Sequence, residues 1–168
     1  METGYYKNRT IDWNKWEVDV FNPHLFLLDG YGCGASALST LTGIPPQFIR
    51  NTNRKNRNHW KDSYMIKFLK VCGFKVQPIT KCDVSNTELG YASESINDRH
   101  VLLMSQLINK NSASWAVAHN KLWYHNFQTC SFQPTSILSQ PTLTCYLVLR
   151  PSWRRENWVD HKDKKLYS

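Results

Sequence analysis

No run of 18 apolar residues occurs in this 168-residue chain, whereas a helix that crosses a bilayer needs about 20. The opening METGYYKNRTIDWNKW is polar and aromatic. It lacks the basic segment followed by an apolar stretch that marks a secretory signal. These two absences lead us to expect a soluble, cytoplasmic protein without a membrane partner. Internal repeats and low-complexity tracts are missing too, which argues against a repeat array and against wholesale disorder.

Cysteine is sparse and unpaired. Cys33, Cys72, Cys82, Cys130 and Cys145 are odd in number and form no CxxC. A zinc site or a disulfide framework calls for closer or paired spacings. None of the six histidines stands in the two-histidine, one-carboxylate spacing of a metal site. The expectation is therefore no metal and no cofactor, in a reducing compartment. Cys72 and Cys145 lie in FLKVCGF and LTCYLVL, apolar settings where a thiol serves as a small core residue. Cys33 is different: it stands between two glycines in LDGYGCGASALSTLTGIPP, residues 28–46.

What the chain does have is core-forming residues and positive charge. With 41% hydrophobic and 20% charged residues, it suits one compact domain, placed at residues 1–150. A basic, tryptophan-containing tail follows at residues 151–168. The net charge is +8. It concentrates in Arg50, Arg54, Lys55 and Arg57, and again in Arg150, Arg154, Arg155, Lys162, Lys164 and Lys165. Solubility accounts for such a balance. Nucleic acid stays open as a partner through these basic segments, although no nucleic-acid fold signature accompanies them. Trp153 and Trp158 punctuate the tail, and the expected role is docking on their own domain.

Residues 33–42 read as a short helix stopped by Gly43, and PPQFIRNTN starts another. In KDSYMIKFLKVCGFKVQPI, Asp62 or Ser63 is the expected cap of a third helix. Its apolar face is Met65, Phe68, Leu69 and Cys72, and Gly73 is its stop. The strand FKVQPI follows. After a polar loop over 80–99 come HVLLMSQLI, SWAVAH, LWYHNF and TCYLVLR, all rich in strand formers. The order predicts an α+β domain, with N-terminal helices packed on a C-terminal antiparallel sheet.

Helices first, an antiparallel sheet second and a cysteine opening the first helix resemble the papain-like cysteine peptidases. HWKDSYMIKFLKVCGFKVQPI is similar to the helix-then-strand of bacteriocin-processing (double-glycine leader) peptidases. DRHVLLMSQL with SWAVAHNKLWYHNF is similar to their strand pair. The hairpin is also similar to that of small peptidase-like proteins carried by tailed phages. The likeness spans roughly residues 22–150. It implies a papain-like fold, a thiol nucleophile for peptide or amide hydrolysis, and a polypeptide substrate or protein partner. For a phage protein it implies a place in the host cytoplasm or the virion. Two positions depart from the pattern: Ser114 stands where the family has its histidine, and Leu27 where it has the glutamine of the oxyanion hole. Those departures open the alternative of a pseudo-peptidase that acts as a binding or virion assembly component.

The residues around Cys33 admit two readings. At a helix N-terminus, free amides and the helix dipole favour a thiolate. Flanking glycines let a substrate backbone approach, and the Cys33 amide can donate to an oxyanion. Alternatively, Cys33 is a small residue in a glycine-rich turn. For a base, His119 precedes the turn at Asn120-Lys121 and lies about 16 Å from the open end of the hairpin, at about 3.3 Å per residue. His125 returns beside Ser114 and Trp115. The expected set is therefore Cys33 with His125, its ring oriented by Asn126 or Ser114; without catalysis, His125 is an ordinary strand histidine. His24, Asn22 and Asp29 can approach from the leading loop or stay at the surface. His100 is expected to be structural, His59 and His161 solvated.

Overall fold

The structure, a computed structural model, describes residues 13–26, 32–53, 59–79, 99–109, 112–120, 122–126, 128–131 and 142–154. Helices α1 (Cys33–Thr42), α2 (Pro46–Thr52) and α3 (Asp62–Val71) precede strands β1 (Lys75–Ile79), β2 (Val101–Asn109), β3 (Ser112–His119), β4 (Leu122–His125), β5 (Gln128–Ser131) and β6 (Thr142–Leu149). The strands form one six-stranded sheet in the order β1-β6-β2-β3-β4-β5, with every neighbouring pair antiparallel. This is the α+β class expected from the sequence. No described helix is long and apolar enough to cross a membrane.

Helix α1 is buried along its whole middle, from Gly34 to Leu41. Its sequence, CGASALSTLT, allows this because the residues are small and the hydroxyls satisfy themselves. Ser36 Oγ donates to the Gly32 carbonyl at 2.7 Å, Thr40 Oγ1 to the Ser36 carbonyl at 2.8 Å and Ser39 Oγ to the Ile44 carbonyl at 2.6 Å. A buried hydroxyl without such a partner would cost about 1–3 kcal/mol. Gly43 ends the helix with φ 81°, its N–H donating to the Ser39 carbonyl, a left-handed turn that glycine enters without strain.

Helix α3 ends as the sequence predicts. Gly73, at φ 90°, donates to the Lys70 carbonyl, and Phe74 donates to the Leu69 carbonyl, the two bonds of a Schellman stop. Its start differs from expectation. Lys61, with extended backbone, is the N-cap and supplies no side-chain bond, while Asp62 lies in the first turn and uses its carboxylate elsewhere.

The helices cover one face of the sheet. Ala35, Leu38 and Leu41 of α1, Ile49 of α2 and Met65 and Leu69 of α3 pack with Val101, Leu103, Trp115, Val117, Tyr124, Tyr146 and Val148. Successive strand residues point to opposite faces, so the other face carries Met104, Ala116, Ala118, Cys145 and Leu147, which are also buried. Cys145 is thus a core residue, as expected, and Cys72 is half-buried against the main cluster.

One strand boundary shifts from the sequence reading. LWYHNF is not one strand: β4 stops at His125, and Asn126, with φ 48°, opens a second hairpin turn into β5. The start of the tail packs on the domain, as expected of its tryptophans. Trp153 is buried in the core, and its carbonyl accepts the N–H groups of Asp19 and Val20. The tail therefore docks through Trp153; Trp158, His161 and the basic residues beyond Arg154 lie outside the described residues, as do Leu27, Asp29, Arg54, Lys55, Arg57, Cys82 and the loop at 80–98.

Candidate active site

The start of α1 is built by two glycines with different tasks. Gly32, at φ 87°, turns the chain into the helix and offers no capping side chain. Among the described residues no side chain caps the first-turn N–H groups. Cys33 follows, half-buried and packed against the core cluster. Gly34 is required by space, since a Cβ there would fall 2.1 Å from Cγ and 2.6 Å from Cβ of Trp60.

Trp60, packed on Gly34, is the first link of an aromatic chain at the start of α1. Its carbonyl accepts the indole N–H of Trp115 at 2.9 Å. The Trp115 ring faces Tyr146, with centroids 6.5 Å apart. Tyr146 donates its hydroxyl to Oδ2 of Asp62, in the first turn of α3. Burial and the Asp62 carboxylate push the phenol well above its usual range, so Tyr146 stays a protonated donor. None of Trp60, Tyr146 and Asp62 was singled out by the sequence as part of this site. The available signal was the alternation in SWAVAH, where Trp115 and Val117 are large and Ser114, Ala116 and Ala118 are small.

That alternation decides where the expected base goes. Val117 and Tyr124 are cross-strand partners in the helix-side core. Ser114 on β3 and His125 on β4 therefore project from the opposite face. There Ser114 Oγ is hydrogen-bonded to His125 Nε2, and the Trp123 ring stacks on the imidazole with centroids 5.9 Å apart. Burial lowers the pKa of His125 below 6.5, which keeps the ring neutral at physiological pH.

The pairing of Cys33 with His125 is not made: no hydrogen bond joins them, and α1 packs on the face from which His125 is turned away. Ser114 does meet His125, as the folded-back hairpin predicted. Asn126 is exposed in the turn, and no hydrogen bond from it to His125 is formed. The remaining described histidines lie elsewhere. His24 packs its ring over Gly43, 3.0 Å from where a Cβ would stand, and its N–H donates to the Thr40 carbonyl. This is the far end of a ten-residue helix, about 15 Å from Cys33 at about 1.5 Å per residue. Burial, and then the charge of Arg150, lower its pKa. His119 sits edge-on to Phe21 at 5.2 Å and His100 is buried in a bridge with Glu17, both at the sheet end away from Trp115. His59 is exposed next to Trp60.

No protein-family model matches the chain, and no curated protein matches it. The site must be read from its own geometry. Among the described residues no three His, Cys, Asp or Glu side chains converge where they could hold a metal ion. The arrangement offers a half-buried thiol at the start of a helix whose next residue packs on Trp60, with the neutral imidazole on the other face of the sheet.

Proposed function

We propose that the protein is a pseudo-peptidase of papain-like architecture, a non-catalytic component that works by binding or assembly, in which Cys33 is a structural residue opening a buried helix. One observation carries this reading. At the two hairpin positions where the resembled peptidases place their histidine and its carboxylate, this chain has Ser114 and His125, hydrogen-bonded to each other on the face away from the thiol. A thiol without a base is a weak nucleophile near neutral pH, since only a few per cent is ionised.

The test is the rate of iodoacetamide alkylation at Cys33, followed by mass spectrometry of its peptide. Alkylation no faster than that of a free cysteine under the same conditions is expected, with Cys33→Ser folding and associating as the parent does. Alkylation at least about tenfold faster than that of a free cysteine overturns the reading.

A second reading, peptide or amide hydrolysis by Cys33, has one feature in its favour. Trp60 packs on Gly34, and His59 is the residue before it in the chain. Under that reading His59→Ala slows the alkylation of Cys33, and under the first it leaves the rate unchanged. Contact with nucleic acid is the third reading. Glu17 and Asp19 are engaged by Arg99 and Asp62 by Tyr146, while Lys61, Lys67 and Lys70 stand exposed along α3. Its signature is binding that weakens steeply with salt.

A further inference from the structure

Two segments far apart in sequence, residues 14–21 and the turn Pro151–Trp153, are bonded chiefly to each other. The carbonyl of Trp153 accepts the N–H groups of Asp19 at 3.2 Å and Val20 at 3.0 Å. Arg154 Nη1 donates to the Asn14 carbonyl at 2.6 Å. Phe21 is the bolt between them: its ring stands edge-on to Trp153 at 4.9 Å and, on the sheet, edge-on to His119 at 5.2 Å and Tyr124 at 6.4 Å. Val18 and Trp153 are the two buried side chains of the pair.

Among the described residues, each segment by itself has a slight hold on the rest of the molecule. The N-terminal one meets the sheet through a single isolated bridge, Glu17 with His100, and one main-chain bond, from Val18 to the Arg99 carbonyl at 2.7 Å. Arg99 adds ion pairs with Glu17 and Asp19, but its side chain is 55% exposed, where such pairs hold weakly. The turn rests its Trp153 ring on Phe74, with centroids 5.4 Å apart. β2, by contrast, is laddered to β3 on one side and to β6 on the other along most of its length. Segments with few main-chain bonds and few buried side chains open locally, ahead of the laddered core. Beyond Asn22 and Pro23 the chain is anchored again, where the His24 N–H donates to the Thr40 carbonyl at 3.1 Å.

We propose that residues 14–21 and the turn Pro151–Trp153 form one clasp, which opens and closes as a unit while the sheet and helices stay folded. If the turn leaves, the N–H groups of Asp19 and Val20 lose their acceptor and Phe21 loses one of its ring partners. What remains does not offset the conformational entropy of keeping the segment ordered. If the N-terminal segment leaves, Trp153 keeps only its place on Phe74 and its own N–H bond to the Arg150 carbonyl. Such coupling is reciprocal: whatever holds one segment off the sheet releases the other. The open state uncovers Phe74 and the seat of Val18 beside Arg99, so that the chain's two ends jointly control access to this surface. The inference does not depend on whether Cys33 is catalytic.

Amide hydrogen exchange of the full chain, read residue by residue by NMR, tests it. In the parent, the Val18, Val20 and Trp153 amides should exchange through a common opening, faster than the β2 and β6 amides of Leu103 and Val148. Trp153→Ala should speed exchange at Val18, whose acceptor is Arg99 and not the altered residue, by at least about tenfold. Val18→Ser should do the same at the Trp153 amide, whose acceptor is Arg150. Leu103 and Val148 should keep their protection in both. Should either substitution loosen the sheet as well, Phe21→Leu, which only trims the ring between the segments, decides: it should speed Val18 and Trp153 together. Acceleration confined to the substituted segment overturns the proposal, and so does a parent in which clasp and sheet amides exchange at one rate.

Discussion

At its N-terminal end helix α1 meets a thiol and two indoles; at its C-terminal end it meets an imidazole and, beyond it, a guanidinium held 5.6 Å over the Phe74 ring. A cysteine hydrolase needs the first thiol and the second imidazole at one end. Here they are separated by the length of the helix, and the imidazole that returns to the thiol's end, His125, lies on the far face of the sheet. Both ends contain a glycine with a ring against it, yet for different reasons. Gly34 has ordinary helical backbone and is fixed by the body of Trp60, whereas Gly43 is fixed by its φ of 81° and meets only the side chain of His24. The comparison teaches that the thiol end is the rigid, packed end of the helix, and the histidine end is the adaptable one.

The sharpest way to break this contrast is Gly34→Ala. The added methyl would overlap the Cβ and Cγ of Trp60, atoms too close to the backbone to rotate clear. We expect a loss of about 3 kcal/mol, read as a fall in the urea midpoint. A change under about 1 kcal/mol would mean that the Trp60 wall yields easily. Gly43→Ala is the matching substitution at the other end. The strained φ should cost about 1 kcal/mol, while the exposed His24 ring swings aside. A loss as large as that of Gly34→Ala would erase the distinction between the two ends.

The smallest expected effect is on pH. Burial lowers the pKa of His125 below 6.5, and burial followed by Arg150 does the same for His24. Between each lowered value and 6.5 the unfolded chain binds more protons than the native one. Stability therefore rises with pH through that window and is lost as pH falls from 6.5 toward the folded-state values. Urea titrations from about pH 7 to about pH 5 should show this decline, and His125→Gln and His24→Gln should each flatten it. The half-buried His125 should give the larger share, because solvent screens His24. A profile unchanged by either substitution would show that neither ring resists protonation.

Most of the fold was legible in the sequence. Gly43 and Gly73 marked the helix ends because only a left-handed residue continues the chain there. Asn120-Lys121 marked the first hairpin because asparagine tolerates positive φ. The same logic applied to Asn126 would have found the second turn, which the apolar run LWYHNF concealed. Counting back across the first turn correctly brought His125 beside Ser114. The count could not tell which face of the sheet the pair would occupy, because a strand's two faces differ by a single residue of register.

Composition, the turn residues and the spacing of apolar positions are local properties, and they determined the three α-helices and the antiparallel sheet of the described residues, with Cys33 opening the first helix. Which face of β3 and β4 the helices would cover was decided only by packing. Both faces carry residues fit for burial, Trp115 and Val117 on one and Ala116 and Ala118 on the other. The helix layer settled on the aromatic face, where Trp60 and Asp62 could satisfy the indole of Trp115 and the hydroxyl of Tyr146. That choice turned His125 away from the thiol.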